Sequence, residues 1–398
     1  MTIRIARLEE VCEINPRAPK SISDDTLVSF LPMSAVSEDG YVAFEEPRTY
    51  GEVKRGYTYF ERGDVLIAKI TPCFENGKAT STDTIQNKLG FGSTEFHVVR
   101  PSTDLDPKYV FYLLWSKKFR TIGEKGMTGS AGQKRVPADL LKRLEIPLPP
   151  LAEQKRIAAI LDKADQLRQK RRQAIALLDS LTQGIFLEMF GDLGISAEKW
   201  SRCLALCELA EIGSGITKGR KTNSTSMTKV PYLAVANVQD KALNLATIRS
   251  IEATPAEIEK YKLAANDLLL TEGGDPDKLG RGTLWREELP LAIHQNHIFR
   301  VRFTTPEIEP LYANWLLGSE YGKKYFLKSA KQTTGIASIN KTQLSSFPVI
   351  LPPIDLQRSF VRRAEAVSSQ LSAHRAYLDS FDSVFFALQT SAFRGEIR

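Results

Sequence analysis

The chain is poor in cysteine and histidine, with four residues of each among its 398. The cysteines are Cys12, Cys73, Cys203 and Cys207, and no two of them form a CxxC pair. This spacing excludes a small fold held together by disulfides and favours core cysteines over metal ligands. Such sparse cysteine usage is typical of a protein in a reducing cytoplasm.

Long apolar runs are also missing. No stretch of about 18 apolar residues occurs, so the sequence predicts no membrane-spanning helix. The first residues, MTIRIARLEE, are too polar for a secretory signal. With 42% hydrophobic and 25% charged residues, the composition is that of a globular protein, which excludes disordered and collagen-like classes. The net charge of +7 permits a nucleic-acid partner without requiring one.

Signatures of catalysis are equally scarce. The sequence contains no GxxxxGK[ST] phosphate loop, no GxGxxG turn and no HExxH zinc motif. His294 and His297 lie close together, but without a third ligand we favour strand side chains over a metal site. Asp39, Glu52 and Lys54 weakly resemble a metal-dependent nuclease set, which would predict metal-dependent cutting by the chain alone. We predict no catalytic residue and no metal ligand.

The chain contains an internal repeat. When it is shifted by 203 residues without gaps, residues 64–150 align with 267–353, and seventeen of the 87 pairs are identical. Roughly 6% identity is expected from average composition. Among the identical pairs are Asp64/Asp267 and Tyr109/Tyr312, and both aligned segments end in LPP. Two diverged copies of one module therefore make up the chain.

Each copy has two unlike parts. Short apolar runs separated by Gly, Pro, Asn and Asp predict a mixed α/β globule in the first part. The second part, beginning at Leu151 in the first copy, lacks proline and is rich in helix formers. We therefore predict segments with the boundaries 1–150 (first globule), 151–190 (central long helix), 191–352 (second globule) and 353–398 (C-terminal long helix).

Both long helices carry apolar residues at alternating three- and four-residue spacing, which is typical of a coiled-coil seam. The predicted seam residues are Ile157, Ile160, Ala164, Leu167, Leu178 and Leu181, and then Phe360, Ala364, Val367, Leu371, Leu378, Phe381 and Phe385. An apolar stripe must be buried, and two such helices in one duplicated chain predict an antiparallel pair between two globules. The alternative is that each helix folds back onto its own globule.

The remaining signals indicate binding. Loops at 74–80 and 273–283 combine glycine, a cation and a threonine, which suits contact with phosphate. Tracts at 117–135, 213–229 and 321–350 are basic and poor in acids. The candidate DNA-binding residues are Lys78, Thr80, Lys117, Lys118, Lys125, Gln133, Lys134 and Arg135 in the first copy, and Lys218, Arg220, Lys221, Asn237, Gln239, Arg281, Thr283, Lys328, Lys331 and Lys341 in the second.

A family resemblance covers the whole chain. The segment LPPLAEQKRIAAILDKADQLRQKRRQAIALLDSLTQGIFLEMFGD (148–192) closely resembles the central conserved region of type I restriction–modification specificity subunits. The segment 351–397 resembles their C-terminal conserved region, although Leu356 replaces the usual acid before Gln357. The segments LEEVCEIN, GDVLIAKITP, GFGSTEFHVVRP, PYLAVANVQD and NDLLLTEGG are similar to parts of their target-recognition domains.

The resemblance implies a non-catalytic DNA reader. Two target-recognition domains each read one half of a bipartite, asymmetric site, and the paired helices set the gap between the halves. Two methyltransferase (modification) subunits, which hold S-adenosylmethionine and methylate adenine N6, dock on the conserved helices. Restriction subunits use ATP and Mg²⁺ to translocate and cut DNA. A stand-alone coiled-coil DNA-binding or scaffold protein without methyltransferase partners is the alternative.

Overall fold

The computed structural model describes residues 4–130, 132–193, 200–220, 226–275, 279–333 and 336–396, with the backbone alone for 331–333 and 336. The chain forms two compact units, Met1–Ala174 with His374–Arg398, and Ile175–Ala373. These units differ from the segments predicted from sequence because each unit takes part of both long helices. Among the described residues, no helix is long and apolar enough to cross a membrane.

The first unit contains three small sheets. Its strands are β1 (Arg4–Arg7), β2 (Cys12–Ile14), β3 (Leu27–Leu31), β4 (Glu46–Thr49), β5 (Thr58–Glu61), β6 (Val65–Ala68), β7 (Ala79–Ser81), β8 (Leu89–Gly92), β9 (Phe96–Pro101) and β10 (Glu145–Leu148). The sheet orders are β1-β10, β2-β9-β6-β7 and β4-β3-β8-β5. Only the β3–β8 pairing is parallel among these described strands.

The second unit repeats this plan. Its strands are β11 (Cys203–Ala205), β12 (Ala210–Ser214), β13 (Thr228–Leu233), β14 (Val238–Gln239), β15 (Ala242–Leu243), β16 (Arg249–Ala253), β17 (Leu268–Thr271), β18 (Gly273–Gly274), β19 (Gly282–Leu284), β20 (Ile293–His294), β21 (Ile298–Phe303), β22 (Lys331–Thr333), β23 (Ile336–Ser338) and β24 (Pro348–Ile350). The order β12-β21-β17-β19 matches β2-β9-β6-β7, and β16-β13-β20, with β13 and β20 parallel, matches β4-β3-β8. The shared strand order supports the internal duplication.

Helices surround these sheets. They are α1 (Leu8–Val11), α2 (Tyr50–Val53), α3 (Pro107–Leu114), α4 (Lys117–Lys125), α5 (Ala138–Lys142), α6 (Leu151–Phe190), α7 (Leu206–Leu209), α8 (Pro255–Tyr261), α9 (Pro310–Leu317), α10 (Glu320–Ser329), α11 (Lys341–Ser345) and α12 (Ile354–Arg394). α3 and α9 both begin with proline, whose missing N–H costs nothing in the first turn. After α6 and α12, Gly191 and Gly395 have φ of 79° and 75°, the left-handed conformation that ends helices.

One glutamine fastens the start of each long helix to its globule. The Gln154 Oε1 atom accepts a hydrogen bond from the Asp106 backbone N–H at 2.9 Å, and its Nε2 donates to the Asp104 and Pro149 carbonyls. Gln357 makes the equivalent bonds to the Glu309 N–H and to two carbonyls. Both side chains are buried. The LPPxxxQ motif therefore joins each helix to the segment that enters α3 or α9.

In the first unit, α6 and α12 pack antiparallel around a buried charge cluster. Arg168 is 2% exposed, and its guanidinium contacts Asp165 at 2.7 Å and Asp382 at 2.6 Å. The guanidinium also lies over the Phe385 ring, 4.3 Å from its centroid. Three residues further along α6, Arg171 bonds His374, eight residues earlier in α12, which shows the antiparallel direction. A buried ion pair of this kind fixes helix register more than it adds stability.

In the second unit, aromatic rings join the helices. Phe186 and Phe190 of α6 lie 5.4 and 5.6 Å from the Phe360 ring of α12. Phe190 also lies 4.9 Å from Tyr312 of α9. The predicted fold class, mixed α/β globules with two long antiparallel helices, is therefore confirmed. The alternative prediction, that each helix folds back onto its own globule, also holds in part, since the start of each helix packs on the globule that precedes it.

The seam on α6 differs from the prediction. Leu167 and Leu181 are 48% and 45% exposed, so these two predicted positions are wrong. The other four predicted positions are buried (Ile157) or half-buried (Ile160, Ala164 and Leu178). Leu161, Arg168, Arg171, Ile175 and Thr182 are also buried or half-buried. The apolar pattern passes over Arg168, whose charge is buried here because Asp165 and Asp382 pair with it. On α12, Phe360, Ala364, Val367 and Phe385 are buried, and Leu371, Leu378 and Phe381 are half-buried.

Each globular core includes residues from both long helices. In the first unit Ile157 and Leu161 of α6 and Phe385 and Ala392 of α12 belong to the core around α3. In the second unit Phe186 and Phe190 of α6 and Phe360 and Ala364 of α12 belong to the core around α9. Each core therefore needs the beginning of one helix and the end of the other.

We predict that Phe385→Ala destabilises the first unit by about 3–5 kcal/mol, because it removes a fully buried ring. Hydrogen–deuterium exchange of α3 should accelerate while exchange of α9 stays unchanged. The control is Val384→Ala at a neighbouring side chain that is 54% exposed, which should change stability by less than about 0.5 kcal/mol. Equal acceleration in both units, or none in α3, would contradict the assignment of Phe385 to the first core.

Candidate nucleic-acid interface

In the first copy, the segment after β6 pairs with the end of the basic tract 117–135. The Thr71 N–H donates to the Lys134 carbonyl at 3.0 Å, and the Val136 N–H donates to the Lys69 carbonyl at 2.9 Å. Thr128 and Arg135 exchange backbone hydrogen bonds and form a hairpin. The segment after β6, which leads into the loop 74–80, and the hairpin after α4 thus form one structure. It exposes Lys125, Gln133 and Lys134, which we call the first basic surface.

The same pairing recurs in the second copy. β18 pairs with β23, so that Gly273 lies opposite Ser338 and Gly274 opposite Ala337. These positions are 203 residues beyond Ile70 and Arg135, which form the corresponding bridge in the first copy. A Cβ atom at Gly273 would lie 2.9 Å from the Ala337 carbonyl oxygen, so this approach requires glycine.

Exposed lysines also surround the second pairing. Lys328 lies in the last turn of α10, and Lys341 begins α11 just after the hairpin. Both side chains are exposed. We call Lys328 and Lys341 the second basic surface. The Lys331 side chain, predicted to join it, lies outside the described residues.

The two predicted threonines are not surface groups. Thr80 is 1% exposed on β7 and Thr283 is 5% exposed on β19. The Thr80 hydroxyl donates to the Ser81 carbonyl. Lys78, between loop and strand, is half-buried and donates from Nζ to the Met33 carbonyl at 3.2 Å. We correct these three predictions, because the strand pairing turns these side chains into the globule.

Two of the predicted arginines are held in ion pairs. Arg135 contacts both carboxylate oxygens of Glu95 at 2.9 Å, and this hydrogen-bonded pairing lowers the pKa of Glu95. Arg220 contacts Glu257 at 2.5 and 2.6 Å, and the Arg220 hydrogen bond lowers the pKa of Glu257 to about 2. A bidentate carboxylate occupies the donors that a phosphate would need. We therefore correct the prediction for Arg135 and Arg220, which position their loops and do not serve as phosphate contacts.

Polar side chains predicted to reach bases also serve the fold. Asn237 is 6% exposed, accepts from the Ala234 N–H and donates to the Asn244 and Thr247 carbonyls. This residue is therefore a turn-forming group, and its prediction is corrected. Gln239 and Arg281 are half-buried and face each other, with 3.4 Å between the Gln239 Oε1 and an Arg281 Nη.

The other candidates fall in three places. Lys218 is exposed in the loop after β12, and Lys221 lies outside the described residues. Lys117 and Lys118 are exposed in the first turn of α4, where they border a groove that also involves α12. The structure thus places Lys117 and Lys118 on a different feature from the hairpin.

Sequence analysis missed an ion pair between a buried aspartate and a partly exposed arginine that recurs in both copies. Asp64 and Asp267 were recognised as identical, but not their partners. Arg100 binds Asp64 through two bonds of 2.8 Å, and Arg302 binds Asp267 through two bonds of 2.7 Å. The partners are 202 residues apart, so the ungapped shift of 203 aligned Arg100 with Phe303. Allowing a one-residue gap before β9 would have found them.

The weak nuclease pattern does not form a site. Lys54 pairs with Asp24 at 2.7 Å, and Glu52 caps α2 through the Thr49 N–H and hydroxyl. Asp39 lies 3.3 Å from Arg172 of α6. Each residue thus has its own structural partner. In the described parts of the chain, no group of three or more His, Cys, Asp or Glu is arranged to hold a metal ion.

The two neighbouring histidines have different surroundings. His294 is 1% exposed on β20, and its Nδ1 lies 3.1 Å from the Tyr261 carbonyl oxygen. His297 is exposed and bonds Glu272 at 2.6 Å. Burial lowers the pKa of His294 to about 4. His294 is therefore a neutral side chain of the globule.

The low pKa of His294 predicts acid sensitivity of the second unit. In the unfolded chain this histidine becomes protonated below about pH 6.5, whereas in the folded protein His294 stays neutral down to about pH 4. The unfolded state therefore binds more protons in this interval, and the free energy of unfolding falls as the pH is lowered through it. The slope for one proton is at most about 1.4 kcal/mol per pH unit. Urea unfolding at pH 7 and pH 5 should show a smaller pH dependence for His294→Asn than for the parent. Equal dependence in the two proteins would disprove the assignment.

Comparison with known proteins gives one consistent family. Residues 3–177 match the family model of the type I restriction modification DNA specificity domain. The specificity subunit of the type I restriction enzyme EcoAI from Escherichia coli is 40% identical over 204 residues, which are 49% of this chain and 34% of that protein. The EcoEI specificity subunit from Escherichia coli is 38% identical over 204 residues, which are also 49% of this chain and 34% of that protein. These matches span about a third of the length of either relative.

Solved structures agree in fold over the full chain. A chain from a structure of the type I R-M system has a TM-score of 0.58 at 19% identity, covering 99% of this chain and 98% of that one. The type I restriction-modification S subunit from M. genitalium has a TM-score of 0.54 at 16% identity, covering 98% and 96%. Residues 3–177 therefore match the type I restriction modification DNA specificity domain, and the chain as a whole has the fold of these two solved structures.

Proposed function

We propose that this chain is the sequence-specific DNA-recognition subunit of a type I restriction–modification complex in the cytoplasm. Each unit reads one half of a bipartite, asymmetric site. The observation that carries the proposal is the paired loop and hairpin that recurs 203 residues on, with exposed lysines at both places. Two related but non-identical surfaces suit a site with two different halves.

The basic surfaces supply contact with the DNA backbone. Lys125 and Lys134 in the first unit and Lys328 and Lys341 in the second are exposed, and no ion pair to them occurs within the described residues. Lysines that neutralise phosphates release condensed counterions, which makes binding strong at low salt and weak at high salt. Gln133, exposed on the first hairpin, is a candidate for reaching a base edge.

The long helices serve as the spacer in this proposal. α6 has 40 residues and α12 has 41, so each is roughly 60 Å long at 1.5 Å per residue. Half-sites one DNA turn apart, about 34 Å, lie on the same face of the duplex. A pair of helices of this length suffices to bridge them.

The helices also offer a surface to partner subunits. Leu177, Leu181 and Leu187 of α6 are 71%, 45% and 46% exposed. Apolar side chains left on one side of a long helix are typical of a protein-binding surface. We propose that two methyltransferase (modification) subunits, holding S-adenosylmethionine, dock there for adenine-N6 methylation. Restriction subunits that use ATP and Mg²⁺ would join them for cleavage, and this chain itself supplies no catalytic group.

We predict that Lys134→Ala weakens binding to the recognised site and to random duplex DNA by a similar factor. The slope of log affinity against log salt should fall by about one, because one phosphate contact is lost. Lys328→Ala should act in the same way in the second unit. Fluorescence anisotropy of labelled duplexes across a salt series measures both quantities.

The matched control is Lys170→Ala, an exposed lysine on α6. This variant should leave the affinity and the salt slope unchanged. The assignment of the basic surfaces fails if Lys134→Ala and Lys328→Ala behave like Lys170→Ala, or if either loses the recognised site while retaining its affinity for random DNA.

A further inference from the structure

A groove in the first unit has no role in the proposed DNA contact. It has a volume of about 280 Å³ and lies between α4, β10 and the last turns of α12. Its apolar lining includes Ile122, Leu144, Phe386 and Phe393, of which Ile122 is 38% exposed. The volume is just under the range of small-molecule sites, so it suits a few side chains rather than a cofactor.

Cations dominate the polar rim of this groove. Lys117, Lys118 and Arg394 are all exposed, and none of them forms an ion pair with a described residue. Glu145 is the one acid in the lining. Lys117 and Lys118 also stand in the first turn of the nine-residue helix α4, where the helix dipole favours negative charge. The rim therefore attracts carboxylates.

Among the described residues, the corresponding corner of the second copy has neither these cations nor this open space. At positions 203 residues beyond Lys117, Lys118 and Ile122 stand Glu320, Tyr321 and Tyr325. Phe347 takes the place of Leu144, and its ring lies 5.8 Å from Tyr321 and 5.1 Å from Tyr325. The chain itself thus fills this corner of the second unit with aromatic rings.

The second copy also covers the ring that corresponds to Phe393. That ring is Phe190, and Trp200 lies 6.3 Å from it and donates from Nε1 to the Phe190 carbonyl at 3.1 Å. Phe393 contacts Tyr109 at 5.4 Å as Phe190 contacts Tyr312, which confirms the correspondence. In the second copy, the position that corresponds to the groove is therefore covered by a polypeptide segment that contributes an apolar side chain.

We propose that the groove of the first unit docks a polypeptide segment of a partner protein that carries apolar side chains next to carboxylates. The apolar side chains pack on Ile122 and Phe393, and the carboxylates contact Lys117, Lys118 and Arg394. DNA fits the groove poorly, because a phosphate backbone has nothing apolar to bury there. Lys117 and Lys118 are thereby reassigned from DNA contact to protein docking.

The proposal makes the two copies functionally unequal. Only the first offers an open apolar groove with a cationic rim at this corner of the described fold, so the partner segment docks on the first copy alone. This inference does not depend on the proposed DNA contacts, since the hairpin lysines take no part in it.

Site-specific photo-crosslinking tests the proposal with the full chain in its natural host. A benzoylphenylalanine replaces Ile122, and in a matched control protein it replaces Tyr325, the corresponding position of the second copy. We expect an adduct from position 122 with a polypeptide segment that mass spectrometry shows to combine apolar residues with Asp or Glu. Position 325 should give none.

Charge reversal then tests the rim. Lys117→Glu with Lys118→Glu should lower the adduct yield by about tenfold, because like charges now oppose the segment. Reversal of Lys20 and Lys88, two exposed lysines of the same unit, should leave the yield unchanged. Circular dichroism melting verifies that the variants fold. An adduct with DNA or with a second copy of this chain, no adduct at position 122, or a yield insensitive to the reversal would each overturn the proposal.

Discussion

Burial of the ends of two long helices is the constraint on which the structure depends. Neither globule closes its core with its own strands and short helices. Phe385 and Ala392, from the end of α12, complete the first core, and Phe186 and Phe190, from the end of α6, complete the second. A helix that begins on one module therefore has to end in the core of the other. Each long helix therefore contributes side chains to both cores.

Polar groups give this packing its register. The buried Arg168 with Asp165 and Asp382 allows one alignment of α6 against α12, because a slip by a turn would leave a charge unpaired in the interior. Gln154 and Gln357 set the starting points of the two helices against their globules in the same way. If the helices set the gap between half-sites, these buried polar groups fix its length, while the apolar seam supplies the stability.

Sequence analysis predicted the features that depend on repetition and periodicity. The duplication, both long helices and their antiparallel pairing followed from identities at a constant shift and from apolar spacing. On α6 two of the six predicted seam positions, Leu167 and Leu181, are exposed, because periodicity counts only apolar residues and passes over the buried Arg168 beside Leu167. Asn237, Arg135 and Arg220 were assigned to the surface by residue type, whereas turn geometry and the distant partners Glu95 and Glu257 determine their role. Contacts between residues far apart in sequence leave no local pattern, and the groove of the first unit depends on such contacts among α4, β10 and α12.

In the proposed function, the paired helices set the distance between two recognition units. Methylome sequencing tests it directly in a host that expresses this chain with its cognate methyltransferase, alongside a variant with one heptad inserted at facing positions of both α6 and α12. Seven residues add about 10 Å of helix, or about three base pairs at 3.4 Å each. The account predicts a bipartite methylated motif whose halves stay the same while the gap lengthens by about three base pairs. An uninterrupted motif, or a gap that the insertion leaves unchanged in an active complex, would contradict it.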